Sequence, residues 1–157
     1  RILSNSAWIK IAKNLILAGP KQVSIYDPNV VTIGDLGRNF YAKESHIGKV
    51  TLPKLQLDLK DLNPGVIIEA VNNTDIEYIT NLKFSASNYN CVVVLDHYDR
   101  EYLVKLNNAC RQNNAGFIYA GNLGLYGFAF VDFGENHKVI DTNGEQEKSI
   151  HIAGISQ

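Results

Sequence analysis

The chain has 157 residues, 45% of them hydrophobic and 20% charged, with 15 basic against 16 acidic side chains for a formal charge of −1. That length suits one compact domain, 1–157, and not two; the composition excludes a low-hydrophobicity disordered tail, and the balanced charge disfavours a general binder of the nucleic-acid backbone. Two cysteines are too few for a disulfide framework and four scattered histidines offer no clustered zinc spacing, so a reducing intracellular compartment is expected and no metal site is.

No apolar run approaches the roughly 20 residues that cross a bilayer, and the opening residues carry no signal-peptide pattern, so no membrane partner is expected. The absence of methionine and the opening Arg1 are expected of a piece of something longer. The first periodic segment starts near Ile9: Ile9, Ala12 and Ile16 share one helical stripe, Ile11, Leu15 and Ala18 the adjacent one, and Gly19-Pro20 stops the helix. Both stripes together predict burial of a broad face. Val23 to Asp27 then reads as a short parallel strand whose carboxyl end opens on a cleft. From Pro28 to Ile47 periodicity fails, and a connection of that length inside a compact domain is usually functional.

Leu52, Leu55, Leu59 and Leu62 restore helical spacing until Asn63-Pro64-Gly65 ends it. Val66 to Val71 is the next predicted strand, Asp75 to Leu82 a brief helix, and Cys91 to Leu95 a central strand. Asp99 to Asn113 is helical on Leu103, Leu106 and Cys110, leading to a strand from Phe117 to Ala120. Phe128 to Phe133 and Lys138 to Ile140, joined across Gly134-Glu135-Asn136, read as an antiparallel hairpin. Repeated strand-helix-strand units imply an α/β fold with a doubly wound, mainly parallel sheet, helices on both faces and an antiparallel carboxy-terminal extension; ligands in such sheets bind beyond the carboxyl ends of strands.

In nucleotide-binding sheets the first strand-to-helix turn is glycine-rich, because only glycine lets backbone amides approach a pyrophosphate. Here that turn is Leu3-Ser-Asn-Ser-Ala-Trp8, and none of the 12 glycines precedes Gly19. The turn reads as a retired site plugged by side chains, with an unorthodox phosphate loop as the alternative. Asp27 stands where a ribose-binding acid would project, or simply ends its strand. Asp96 follows the central strand with His97 and Asp99, a cluster suited to magnesium or acid-base work; Asp96 or Asp99 equally suits capping of the next helix. Cys91 and Cys110 sit in packing positions, not nucleophilic ones.

Ile11-Ala-Lys-Asn-Leu-Ile-Leu-Ala-Gly19, Val23 to Asp27, Val31-Thr-Ile-Gly-Asp-Leu-Gly-Arg-Asn-Phe40, Ile47-Gly-Lys49, Leu62-Asn-Pro64 and Gly124-Leu-Tyr-Gly-Phe128 occur in that order. Together they closely resemble the ubiquitin-activating enzymes. Val131-Asp-Phe-Gly-Glu135 and Asp141-Thr-Asn-Gly-Glu-Gln146 resemble the amino-terminal, inactive adenylation half in particular. The resemblance implies a Rossmann-like half-domain of the ThiF/MoeB kind, part of a multidomain enzyme, with no catalytic residue and no cofactor of its own. It implies ATP and magnesium in the parent enzyme's active half, and as partners that half, ubiquitin and, through the parent, a ubiquitin-conjugating enzyme, in cytoplasm and nucleus.

In active halves of this family a lysine lies two residues after the Gly-Lys pair; here Gly48-Lys49 is followed by Val50 and Thr51. Arg38 matches the position of an ATP-contacting arginine and Leu95-Asp96 resembles the Leu-Asp of the magnesium site, so Asp27, Arg38 and Asp96 are expected to be vestigial nucleotide-site residues. Val30, Ile33, Leu36 and Phe40, apolar anchors among turn residues, are expected to dock on the active half. The alternatives are a competent adenylating enzyme of the sulfur-carrier-activating type, or the regulatory subunit of a SUMO- or NEDD8-activating enzyme. A nicotinamide dehydrogenase keeps only Asp27 in its favour and lacks the same glycines.

Overall fold

A computed structural model describes residues 7–71 and 89–139. Helix α1 runs Ala7–Leu17, strand β1 Gln22–Ile25, a single-turn helix α2 Ile33–Leu36, α3 Thr51–Lys60, β2 Ile67–Ala70, β3 Cys91–Val94, α4 Arg100–Gln112, β4 Gly116–Leu123 and β5 Tyr126–Asp132, with a 3₁₀ turn at Glu44–His46. The expected helix at Asp75 to Leu82, the turn from Leu3 to Ser6 and the segment Asp141 to Gln146 lie outside the described residues.

β1 pairs parallel with β2, and β3 parallel with β4, each pair joined through helix. The fold is thus α/β with parallel crossovers. Ile9, Ala12 and Ile16 of α1 are buried, with Leu55 and Leu59 of α3 and Ile25, Val66 and Ile68 of the β1–β2 region. Helical spacing places the first three on one stripe, and the alternation in each strand turns Ile25 and Ile68 to the same side. The second predicted stripe on α1 is not buried: Leu15 is 42% exposed and Ala18 is also at the surface. Gly19, at φ +78°, ends the helix in the left-handed region that glycine adopts without strain.

α4 packs Leu106 and Cys110 against Val94, Ala115 and Phe117, with Leu103 half-buried beside them. Among the described residues β3 lies at the edge of a sheet ordered β3-β4-β5, not at its centre. The carboxy-terminal hairpin also differs from expectation. β5 turns at Gly124-Leu125 and pairs antiparallel with β4 from Phe117↔Asp132 to Leu123↔Tyr126, while residues 138–139 form no strand. Gly124 at φ +64° permits that tight reversal, so the longer strand β4 finds its partner immediately. The antiparallel extension is present, one turn earlier in the chain. No described helix is long and apolar enough to cross a membrane.

Candidate functional site

The residues that leave β1 and β3 are near enough for the Asp96 charge to bear on Asp27. Leaving β1, Asp27 is half-buried, and its Oδ1 accepts the backbone N–H of Asn29 at 3.0 Å and the Asn29 side-chain amide at 2.8 Å. Burial pushes the Asp27 carboxyl above its ordinary range; the Asn29 hydrogen bonds oppose this, and the charges of Asp96 and Asp35 add to the rise. Leaving β3, Asp96 accepts the backbone N–H of His97 at 2.9 Å. Tyr98 follows, its hydroxyl pushed up to about 12 by burial first, then by Asp96, Tyr102, Tyr26 and Asp27. Asp27 and Asp96 therefore share one neighbourhood, and the carboxylates of Asp96 and Asp35 bear on Asp27 as those of Asp96 and Asp27 do on Tyr98.

Aromatic rings wall this end of the sheet. Tyr98 and Tyr102 lie 4.8 Å apart, Tyr119 and Phe128 5.1 Å, and His97 and Phe128 6.3 Å. The Tyr119 hydroxyl is 3.5 Å from His97 Nδ1. Gly121 makes room for this: a Cβ there would come within 2.8 Å of Phe128 Cζ. Asp99 occupies the position before α4, yet its side chain makes no capping hydrogen bond, and Asp96 is spent on His97 instead. The expected cap is absent in that form. Burial raises both thiols, Cys110 to about 11, away from the lowered values of reactive cysteines.

The connection from Pro28 to Ile47 is organised by turns and two isolated bridges, Val30↔Val50 and Val31↔Ile47. Val31, Asp35 and Asn39 point inward, at 2%, 8% and 6% exposure. The Asp35 carboxylate accepts both the N–H and the O–H of Thr32, at 2.8 and 2.7 Å, and Asn39 Oδ1 accepts the Tyr41 N–H at 3.0 Å. Two polar residues are thus inside with Val31, while most of the apolar anchors face out. Ile33 is 76% exposed, Phe40 94% and Val30 47%, with Leu36 half-buried. Arg38 donates Nε–H to the Gly34 carbonyl at 3.0 Å and lies 3.8 Å from Asp35. It is not among the groups that bear on Asp27 or Tyr98.

Of the expected nucleotide-site residues, then, Asp27 and Asp96 bear on one another electrostatically and Arg38 is engaged with Gly34 and Asp35. Trp8 packs against the core of α1 and α3. Sequence reasoning missed Tyr98, Tyr119 and Phe128, whose alternation along strands and position after β3 mark them as a cluster only once the β4–β5 register is known. It also missed Lys10 and Lys13, one helical turn apart on α1, which line a depression with Arg38 and Phe40. Among the described residues no group of three or more His, Cys, Asp or Glu side chains is placed to hold a metal ion.

Comparison with known proteins agrees with this architecture. The ThiF family model matches residues 9–155. The chain is 40% identical over 153 residues to "Ubiquitin-activating enzyme E1 1" of Candida albicans (strain WO-1), covering 98% of this chain and 14% of that protein. It is 36% identical over 152 residues to the protein of the same name from Schizosaccharomyces pombe (strain 972 / ATCC 24843), covering 94% and 14%. To "SUMO-activating enzyme subunit 1" of Dictyostelium discoideum it is 31% identical over 150 residues, covering 95% of this chain and 44% of that one. The chain thus spans about 14% of the length of its ubiquitin-activating relatives. A crystal structure of E. coli MccB with succinimide superposes with a TM-score of 0.62 at 18% identity, over 74% of this chain and 34% of that one, a likeness of fold. With helix-linked parallel strands, an antiparallel extension and a family match over nearly its whole length, this Rossmann-like chain belongs to the ThiF family.

Proposed function

We propose that the chain is the non-catalytic half of a ubiquitin-activating enzyme, a pseudo-adenylation domain that scaffolds an active homologous half of the same parent. In this reading ATP and magnesium work in the active half. There the ubiquitin carboxyl terminus is adenylated, passed to a cysteine thioester and handed to a ubiquitin-conjugating enzyme, in cytoplasm and nucleus. The observation that carries the reading is the engagement of Arg38, the cation expected at the nucleotide, by the Gly34 carbonyl and Asp35, while the carboxylates of Asp27 and Asp96 bear on one another at the strand ends. A triphosphate needs backbone amides or cations around it. Arg38 is turned to Gly34 and Asp35, and the sequence Leu3 to Trp8 contains no glycine. Both features support the absence of a bound triphosphate here. The outward-facing Ile33 and Phe40 support a docking role for the connection that carries them.

Asp96 at the end of β3 favours the second reading, a competent adenylating enzyme of the sulfur-carrier-activating type. The two separate in an assay of ubiquitin-dependent pyrophosphate exchange by the intact parent enzyme. With Asp96→Ala in this domain the rate should stay within about twofold of the wild type, well inside the loss of about 10²-fold or more that removing a catalytic electrostatic group brings. A loss on that scale would overturn the non-catalytic reading.

A further inference from the structure

We infer that the depression between α1 and the Arg38–Tyr41 turn is a docking site for a partner-protein segment carrying one large apolar side chain flanked by carboxylates. The depression is lined by Ile9, Lys10, Lys13, Arg38, Phe40 and Tyr41, holds about 180 Å³, and opens to solvent. Small-molecule sites enclose their ligands in roughly 300–1,000 Å³. A smaller, open and largely apolar hollow is the seat of a single side chain. The inference does not depend on how the strand-end site is read; it rests on and deepens the docking role given above to the connection that carries Phe40.

The floor is preformed. Ile9 is 3% exposed and Tyr41 packs against the same core, while buried Asn39 fixes the Tyr41 backbone through a 3.0 Å hydrogen bond. Beside it Phe40 stands almost fully in water, its ring edge-on to Tyr41 at 5.7 Å and 86°. Phe40, Tyr41 and Arg38 are residue types enriched at protein interfaces.

The rim sets the charge of the partner. Lys10 and Lys13 are three residues apart on α1 and so share a face. Neither makes an ion pair or a side-chain hydrogen bond among the described residues. Arg38, its side chain 40% exposed, is aimed by the Gly34 carbonyl and lies at a loose 3.8 Å from Asp35. None of the described lining residues is acidic. Three cations around an apolar floor complement carboxylates set on either side of an apolar anchor, which is how charge gives an interface its register and specificity. The apolar floor argues against a free phosphoanion.

The test pans short random peptides displayed on phage against the intact protein, then measures selected peptides by fluorescence anisotropy. The inference predicts enrichment of Leu, Phe, Tyr or Trp flanked by Asp or Glu, and affinity that falls as salt rises. Lys10→Glu/Lys13→Glu, both exposed and spared by the core, should weaken these peptides at least about tenfold. Peptides with Lys in place of each acid should bind the reversed variant better than the wild type, an outcome a misfolded variant cannot give. Enrichment without acidic residues, affinity unchanged in the charge-reversed variant, or displacement of the peptides by inorganic pyrophosphate or a short single-stranded oligonucleotide would overturn it.

Discussion

Arg111 on α4 grips Asp132 at the end of β5 with two prongs, Nε–H to Oδ2 at 2.7 Å and an Nη2 hydrogen to Oδ1 at 3.2 Å. Asn107, one helical turn earlier, donates to the same Oδ2 at 2.8 Å, and the Gly134 N–H to Oδ1 at 3.0 Å. Four donors on one carboxylate tie the helix to the outermost described strand, and the planar guanidinium suits that bidentate geometry.

These contacts hold the Asp132 carboxyl well below its ordinary value of 3.8 through hydrogen bonds from Arg111, Asn107 and Gly134. A depressed folded value means that the contribution to stability is present above the unfolded value and is lost as pH falls below it. Asp132→Asn and Arg111→Met should each lower the thermal midpoint at pH 7, and the difference from wild type should shrink below about pH 4. A midpoint difference independent of pH would show that packing, not charge, holds β5.

Leu59 is fully buried where α3 meets α1 and the β1–β2 pair. Leu59→Ala should cost about 2–5 kcal/mol in urea unfolding, the range for leucine truncated in a packed core. The exposed Leu57, at 73%, is the control: Leu57→Ala should stay within about 0.5 kcal/mol. Equal effects at the two positions would place the core elsewhere.

Gly19 carries a φ of +78° and lets its N–H reach the Ile16 carbonyl at 3.1 Å. Open space surrounds it apart from an Asn63 amide at 3.7 Å, so a methyl group there meets strain and not a clash. Gly19→Ala should therefore cost about 1–2 kcal/mol, measured by the same unfolding curves. A neutral result would mean that the helix ends without the left-handed residue.

Period-based reading located the helices well because α1, α3 and α4 each bury one stripe, and spacing reports a stripe directly. The overestimate on α1 has the same origin: Ile11, Leu15 and Ala18 are apolar and correctly spaced, yet the facing elements cover only the stripe of Ile9, Ala12 and Ile16. The hairpin was misplaced because Gly134-Glu135-Asn136 is as good a turn on paper as Gly124-Leu125, and only the length of β4 decides between them. In the connection after β1 the inward residues are Val31, Asp35 and Asn39. Two are polar, buried because local turns satisfy them, so a hydrophobicity pattern reads that segment inside out. The placing of Asp27 and Asp96 just after β1 and β3 is legible in the alternation of strand and helix; their influence on one another is not, because β1 and β3 pair with different strands. The aromatic wall around them depends on cross-strand register, which that alternation does not announce.

Asp27 offers a test of the strand-end field by stability alone. Its carboxyl is raised mainly by burial, so the charged form is penalised in the folded state, and the penalty is full above the raised value and relieved as pH falls through it. Asp27→Asn keeps an acceptor for the Asn29 N–H and removes the charge. Its thermal midpoint should exceed the wild type's at pH 7, with the gain fading as pH falls toward 3.8. A lower midpoint at pH 7 would mean that a cation sits beside Asp27.

Nucleotide binding by this domain separates a scaffold from a competent adenylating half most directly, and equilibrium dialysis of the intact parent enzyme with labelled ATP and magnesium measures it. A non-catalytic half predicts one ATP per enzyme chain, with neither the stoichiometry nor the affinity altered by Asp27→Ala or Asp96→Ala in this domain. A second bound ATP that disappears in Asp96→Ala would show that the acidic strand ends hold nucleotide after all, and would contradict the scaffold reading.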